Sequence, residues 1–480
     1  MHGQDTEAKP IDFTGGLAIP SSDHHFCVEA RETAKLALPM VLSQLGQVAM
    51  TTTDLLFIGR MGTEMLAAAA LAGRVYLVFF TFGLGLLAAI APVAGRAFGA
   101  GNTTLVRRSL RMGLWEAALL SLPIMACALH GEAILLALGQ GPDAARLAQQ
   151  HLSGLAWGVA PALGFQAIRS FMGAINRPGP VLWIMLAATP INALLVYLLV
   201  HGKVGVPPLG LFGAGLATSV VNCGTFLAAL LFLKTRFPLR DNIEPADWWR
   251  FDWPLLRQLI VMGAPISVST LTGYGVSSVA ALLAGRMSTI ALAAHQIAAQ
   301  VGTILFMISY GISMAAAVRI SHAVGRNDSS AIKRAGLVAV QLGMVIATIV
   351  AAGVVVARSE IAQLFLAEST DDVDATVGLA SKLLFVGAAF YVADAVGTIA
   401  TGGLRGLTDT RVPLLFACIA YGLVGISVMY VLSLTTGLGA VGIWLGLSIG
   451  SSIYGGLLIV RFWLLANRVS LQGGPLSCVK

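Results

Sequence analysis

The 480-residue chain is 57% hydrophobic and only 11% charged, with a mean hydropathy of +0.82. A soluble protein of that length could not cover so much apolar surface with so few charges, and the apolar runs lack the alternation in segments of about ten residues that marks a membrane β-barrel. A net charge of +7 would suit nucleic acid, but Lys and Arg sit singly or in pairs at the ends of apolar runs, which is the pattern that orients membrane helices.

Residues 1–32 are polar, lack the charged-then-apolar order of a signal peptide, and read as a cytoplasmic tail. Apolar runs long enough to cross a bilayer then fall at 36–58, 65–95, 112–130, 153–175, 180–200 and 212–233. The segment 131–150 mixes apolar and charged residues and reads as an interfacial helix. The linker KTRFPLRDNIEPADWWRFDWP (234–254) divides the chain. Six more runs follow at 258–284, 293–318, 335–357, 383–403, 412–434 and 440–462, with a second interfacial segment at 358–381. The expected layout is an N-lobe over 33–234, a cytoplasmic linker over 235–254, a C-lobe over 255–466 and a cytoplasmic tail over 467–480.

One set of alternate loops holds Arg96, Arg107, Arg108, Arg111 and Arg177, the basic linker with Lys234 and Arg240, then Arg319, Arg326, Arg405 and Arg411. The other set is sparse, with Arg60, Arg146, Lys203 and Arg286 among its few. The first set is expected in the cytoplasm, with both termini, on a multi-pass protein of the cell inner membrane. Five cysteines (Cys27, Cys127, Cys223, Cys418 and Cys478) show no metal-ligand spacing and read as small buried thiols or loop residues.

The halves repeat. IGRMGTEMLAAAALA (58–72) aligns without gaps on AGRMSTIALAAHQIA (284–298), an offset of 226 positions (59 to 285). The same offset carries Gly85 onto Gly311, Gly99 onto Gly325 and Arg108 onto Arg334. Six helices per half is an even number, so both halves enter the membrane in the same sense. The predicted fold is an all-α membrane protein of twelve transmembrane helices, in two six-helix lobes related by a pseudo-two-fold axis along the membrane normal. A substrate cleft is expected between them.

An acid in the middle of a membrane helix costs about 2.5–3.5 kcal/mol, so each one asks for a reason. Asp394 lies midway between Lys382 and Arg405, and Tyr391, Asp394, Thr398 and Thr401 form one helical stripe. It is either a transport group or a structural carboxylate held by neighbouring helices. Gln44, Gln47, Thr51 and Asp54 repeat that spacing in QLGQVAMTTTDLLFIGR (44–60). Asp54 falls about 10 Å from the helix centre, where it could face a cavity or pair with Arg60. Asn192 and Thr218 could line the first-half cavity or merely satisfy neighbours. Glu116 is expected at the interface, Arg169 reaching toward the cytoplasmic side, and His295 near the outer surface in a structural role. There is no phosphate loop, zinc spacing or haem motif. No cofactor is expected, and energy must come from an ion gradient, the membrane potential or a separate subunit.

QVAMTTTDLLFIGRMG (47–62), ALAAHQIA (291–298), YVADAVGTIATGGLRGLTDTRVPLL (391–415) and GLGAVGIWLGL (437–447) resemble the multidrug and toxic compound extrusion (MATE) family in its NorM-like branch, over about 33–464. The resemblance implies an antiporter, not an enzyme, that exports cationic amphipathic drugs in exchange for H⁺ or Na⁺. It implies that Asp54 is the coupling carboxylate of the N-lobe, with Asn192 and Thr218 hydrogen-bonding around it, and that Asp394 belongs to the C-lobe cation site, where Na⁺ is the alternative ion. Gln47 and Tyr391 join these as candidate site residues by their place on the two stripes. NorM-like relatives usually carry a Glu at the position of Gly273, and its loss here favours H⁺ over Na⁺ coupling. The expected partners are cationic drug-like molecules, the coupling ion and membrane lipid, with no nucleic acid, for a monomer. The alternative is a lipid-linked saccharide flippase of related architecture, which should line its cleft with several basic residues.

Overall fold

The computed structural model describes residues 22–202, 207–236, 250–365 and 373–472. Residues 1–21 of the expected tail, Lys203, residues 237–249 of the linker with Arg240, and residues 473–480 lie outside the described residues. The N-lobe contains α1 (Ser22–Gly59), α2 (Thr63–Leu87), α3 (Ile90–Gly99), α4 (Thr103–Leu129), α5 (Gly131–Ala137), α6 (Pro142–Ala156), α7 (Val159–Ala174), α8 (Gly179–His201) and α9 (Gly210–Arg236). The C-lobe contains α10 (Trp253–Met287), α11 (Thr289–Gly325), α12 (Ser329–Val356), α13 (Arg358–Leu364), α14 (Val373–Gly406), α15 (Arg411–Ala417), α16 (Ile426–Tyr430) and α17 (Gly439–Gln472). A π-helical turn at Cys418–Gly425 joins α15 to α16, and a second at Val431–Thr435 extends α16, so that Arg411–Thr435 is one span.

Among the described residues, ten helical runs are long and apolar enough to cross a membrane. The 38-residue α1 and the α6–α7 pair, broken at Trp157–Gly158, make up the twelve. Large apolar side chains such as Trp183, Leu227, Ile349 and Leu423 point outward, as lipid-facing residues do. The chain is a multi-pass membrane protein.

Local chemistry sets the helix starts. Asn102 caps α4 by accepting from the Leu105 amide at 2.9 Å, and Asp328 caps α12 by accepting from Ala331 at the same distance. These caps are 226 positions apart, and the residue before each, Gly101 and Asn327, has positive φ. The sequence repeat is therefore a repeat of turn chemistry.

Two boundaries differ from expectation. Residues 22–32 are the first turns of α1, where Glu29 meets Arg319 of α11 at 2.7 Å. A polar stretch there reads as tail because its partner lies in the other half of the sequence. The expected interfacial segments hold the short helices α5 and α13, but their second parts, 142–150 and 373–381, belong to spans. In α6, Gly154 sits so close to Gly215 of α9 that an added Cβ would meet backbone, and residues 373–381 are the start of α14.

The lobes meet at the end carrying the Arg-rich loops. Leu255, Leu256, Leu259 and Met262 of α10 belong to the N-lobe apolar cluster, while Leu36, Ala37 and Met40 of α1 pack with Ile312, Ala316 and Ile399 of the C-lobe. At the opposite end the clusters stay within one lobe: Ile58, Ala68, Val196 and Leu211 in one, Ala284, Ala291, Ile443 and Trp444 in the other. A cleft results that narrows toward the basic end. Its crossings obey the repeat. A Cβ on Gly85 would lie 2.5 Å from Ser267 Cα, and one on Gly311 would lie 2.7 Å from Val41 Cα. A Cβ on Gly99 would lie 2.8 Å from His322 Cα, and one on Gly325 would lie 2.8 Å from Ala100 N.

Two ion pairs cross between lobes at this end, Glu29–Arg319 and Arg108–Asp252. Asp252 also caps α10. Burial pushes its carboxyl up, but the Arg108 guanidinium, the Leu255 amide and Arg111 outweigh that and hold it below the ordinary Asp value. A depressed carboxyl contributes stability that is present above its unfolded pKa and is lost as pH falls through its folded value. Asp252→Asn should therefore lower the melting temperature at neutral pH, and its difference from wild type should shrink below about pH 4, as thermal unfolding across pH will check. Gly85→Val and Gly311→Val should each destabilise by about 1–3 kcal/mol, whereas Gly224→Val, in open space, should not.

Candidate functional site

In the N-lobe, three helices converge on one carboxylate. Asp54 of α1 accepts from Asn192 Nδ2 of α8 and, at 3.2 Å, from Thr218 Oγ1 of α9. Asn192 is fully buried, and its Oδ1 has no partner. The pair of donors suits an ionised Asp54. Rotation of the Asn192 amide would turn that free oxygen onto a protonated one, so either form can be accommodated. The rest of the α1 stripe does not join in. Gln44 is buried against α11, where Nε2 lies 3.6 Å from Met314 Sδ, and Thr51 bonds back to its own helix. No side-chain hydrogen bond joins Gln47 to Asp54 among the described residues.

In the C-lobe, Asp394 lines a cavity of about 250 Å³. Its walls come from α10, α11, α14, α17 and the π-helical turn at 418–425. Tyr274, Phe306, Tyr421 and Trp444 supply aromatic surface, and Thr270 and Thr398 supply hydroxyls. Tyr421 donates to Asp394 Oδ1 at 3.4 Å and sits within the π-helical turn, which marks that irregularity as part of the site. Asp54 and Asp394 thus occupy separate sites in separate lobes.

Several candidates fall elsewhere than expected. Tyr391 is buried, gives its hydroxyl to Ala298 O at 2.8 Å and packs edge-on to Trp444, so it supports the wall instead of facing the cavity. Thr401 lines the cavity but bonds Gly397 O and Tyr454. Glu116 is enclosed by protein: it is 1% exposed and both carboxylate oxygens lack a partner. Arg169 does not reach solvent, being 8% exposed with Nη2 unpartnered. His295 is buried, lies against Trp444 and lines the cavity. Arg405, read from sequence as a charge beyond its helix, lines the cavity too. Tyr421 and Tyr454 escape a reading by stripes because neither lies on an acidic one. Arg405 was legible, since it continues the 391, 394, 398, 401 stripe by four more residues.

The MatE family model matches residues 39–198 and 265–431. The chain belongs to the MATE family. A protein of Bradyrhizobium diazoefficiens named "Probable multidrug resistance protein NorM" is 56% identical over 93% of this chain and 96% of its own length. One of Rhodopseudomonas palustris with the same name is 47% identical over 94% and 95%. Among solved structures, the eukaryotic MATE transporter AtDTX14 superposes with a TM-score of 0.81 at 19% identity, covering 94% of this chain and all of that one. A MATE protein in the bent conformation superposes at 0.83 with 17% identity, covering 94% and 99%. At such identities these structures show the fold alone, and it is that of MATE transporters, not of an enzyme.

The MATE resemblance made Gly273 a departure from pattern. Gly273 lines the Asp394 cavity, and a Cβ built on it meets nothing within 4 Å. Gly273→Glu is therefore expected to fold with a melting temperature close to wild type and to gain Na⁺ affinity, read by calorimetric titration of the purified protein. A variant that fails to fold would mean that this space is not available.

Proposed function

We propose that this MATE protein is a secondary active multidrug efflux transporter of the inner membrane, with both termini in the cytoplasm, and that it exchanges cationic amphipathic molecules for H⁺. The observation that carries the reading is the Asp394 cavity of the C-lobe: its one carboxylate stands among aromatic and hydroxyl side chains, with His295 and Arg405 also on its walls. Apolar and aromatic walls bind many flat cations without demanding one shape, and the carboxylate selects their charge. The names of the bacterial relatives point the same way.

Coupling is assigned to Asp54. Loss of water disfavours the charged form of a carboxyl group, and the Asn192–Thr218 pair can serve either protonation state. Protonation at one face and release at the other would bias the two access states, as any coupling ion must. Asp394 attracts the cation, and Gly273 leaves it without a second carboxylate, which favours H⁺ over Na⁺.

The test is efflux of a fluorescent cationic dye from proteoliposomes under an imposed pH or Na⁺ gradient. Wild type should move dye under the pH gradient. Asp54→Asn should abolish that movement, and Asp394→Asn should weaken dye binding. Flux driven by Na⁺ and indifferent to pH would overturn proton coupling. No dye movement under either gradient would favour the saccharide-flippase alternative.

A further inference from the structure

A second, smaller cavity of about 30 Å³ lies beneath the first, where the lobes meet. Its walls come from both lobes: Met40 of α1, Pro92 of α3 and Ser170 of α7 on one side, Ser313 of α11 and Arg405 of α14 on the other. Tyr310 and Arg405 line both cavities, so the two adjoin.

Its charge is one-sided: the neutral polar side chains on its walls are Gln166, Ser170, Tyr310 and Ser313, and the charged one is Arg405. Arg405 Nε is buried without a partner, and so is Ser170 Oγ on a residue that is 1% exposed. Arg169, beside Ser170, is itself 92% buried (8% exposed) and leaves Nη2 unpartnered. Among the described residues neither Arg169 nor Arg405 forms an ion pair, and no Asp or Glu lines the cavity. Ser313 already gives its hydroxyl to Thr398 O. Guanidinium groups keep their charge, and a buried charge is normally met by an opposite one. Among the described residues no carboxylate pairs with either guanidinium, and Asp394 lines only the larger cavity.

We infer that this floor cavity is a binding site for a compact anion, held by Arg405 of the C-lobe and Ser170 of the N-lobe within the positive field of Arg169. The volume admits a chloride ion or a carboxylate head and excludes a ring. N–H and O–H donors aimed at an anion make charge-assisted hydrogen bonds. Because the two donors come from different lobes, the bound anion favours the arrangement in which the lobes are closed at the basic end. Two sources fit this chemistry: a free inorganic anion, or the acidic end of a zwitterionic molecule whose body fills the larger cavity.

The experiment is thermal unfolding of the detergent-solubilised full chain, with chloride or acetate replacing gluconate at constant ionic strength. Wild type should show a saturable rise in melting temperature. Half-saturation should move up about tenfold or more in Arg405→Gln and about fivefold in Ser170→Ala, and Arg405→Lys should retain part of the effect. A wild-type melting temperature indifferent to both anions would overturn the site. So would variants that titrate like wild type. If Arg405→Gln does not fold, Ser170→Ala and Arg405→Lys decide the matter. The source is then separated with rhodamine B, a zwitterion, and its cationic ester rhodamine 6G. Chloride that competes only with rhodamine B identifies the site with a substrate carboxylate. Chloride that competes with neither identifies it as a site for the free ion.

Discussion

The architecture depends on close backbone approach where the two lobes cross. At Gly85 against Ser267 and at Gly311 against Val41, a single extra carbon would collide with main chain. Val41 and Ser267 are themselves related by the offset that relates the two glycines. The contact is therefore made twice, once on each side of the pseudo-axis. Gly99 and Gly325 do the same nearer the basic end. Within a membrane, apolar side chains gain little by leaving lipid for each other, so association rests on tight packing. Small residues supply it, and their symmetry lets the lobes close as two matched faces.

That closure gives the two acids different settings. Asp54 sits in a knot of three helices within the N-lobe, with a donor from each neighbour. Asp394 faces a roomy cavity and is touched only lightly, by Tyr421. A group that must gain and lose a proton benefits from partners that tolerate both forms. A group that must attract varied cations benefits from free space. The proposed division of labour between lobes rests on this contrast in surroundings.

Much of the fold was legible in the sequence, for a physical reason. Hydrophobic runs report burial in lipid directly, and the ungapped match of 58–72 on 284–298 reported the symmetry. The Asp54–Asn192–Thr218 grouping was anticipated through family resemblance. Periodicity alone left Asp54 undecided, because it cannot say which helices become neighbours. The errors share that cause. Residues 22–32 looked like tail because Glu29 finds Arg319 only in the folded chain. Tyr391 looked cavity-facing because a stripe gives a direction but not the carbonyl that takes its hydroxyl. Glu116 reads as interfacial and Arg169 as reaching toward the cytoplasmic side because charge is usually solvated, and here both are enclosed.

The exchange of first turns between lobes bears on how the protein is made. Leu36, Ala37 and Met40 leave the ribosome early, yet the cluster that buries them holds Ile312, Ala316 and Ile399. The N-lobe cluster is in turn incomplete until Leu255 to Met262 have been synthesised. Neither half can finish its core from its own sequence. The chain must carry an unmatched apolar turn through most of its synthesis, sheltered by lipid or by the insertion machinery, until the far half arrives to cover it.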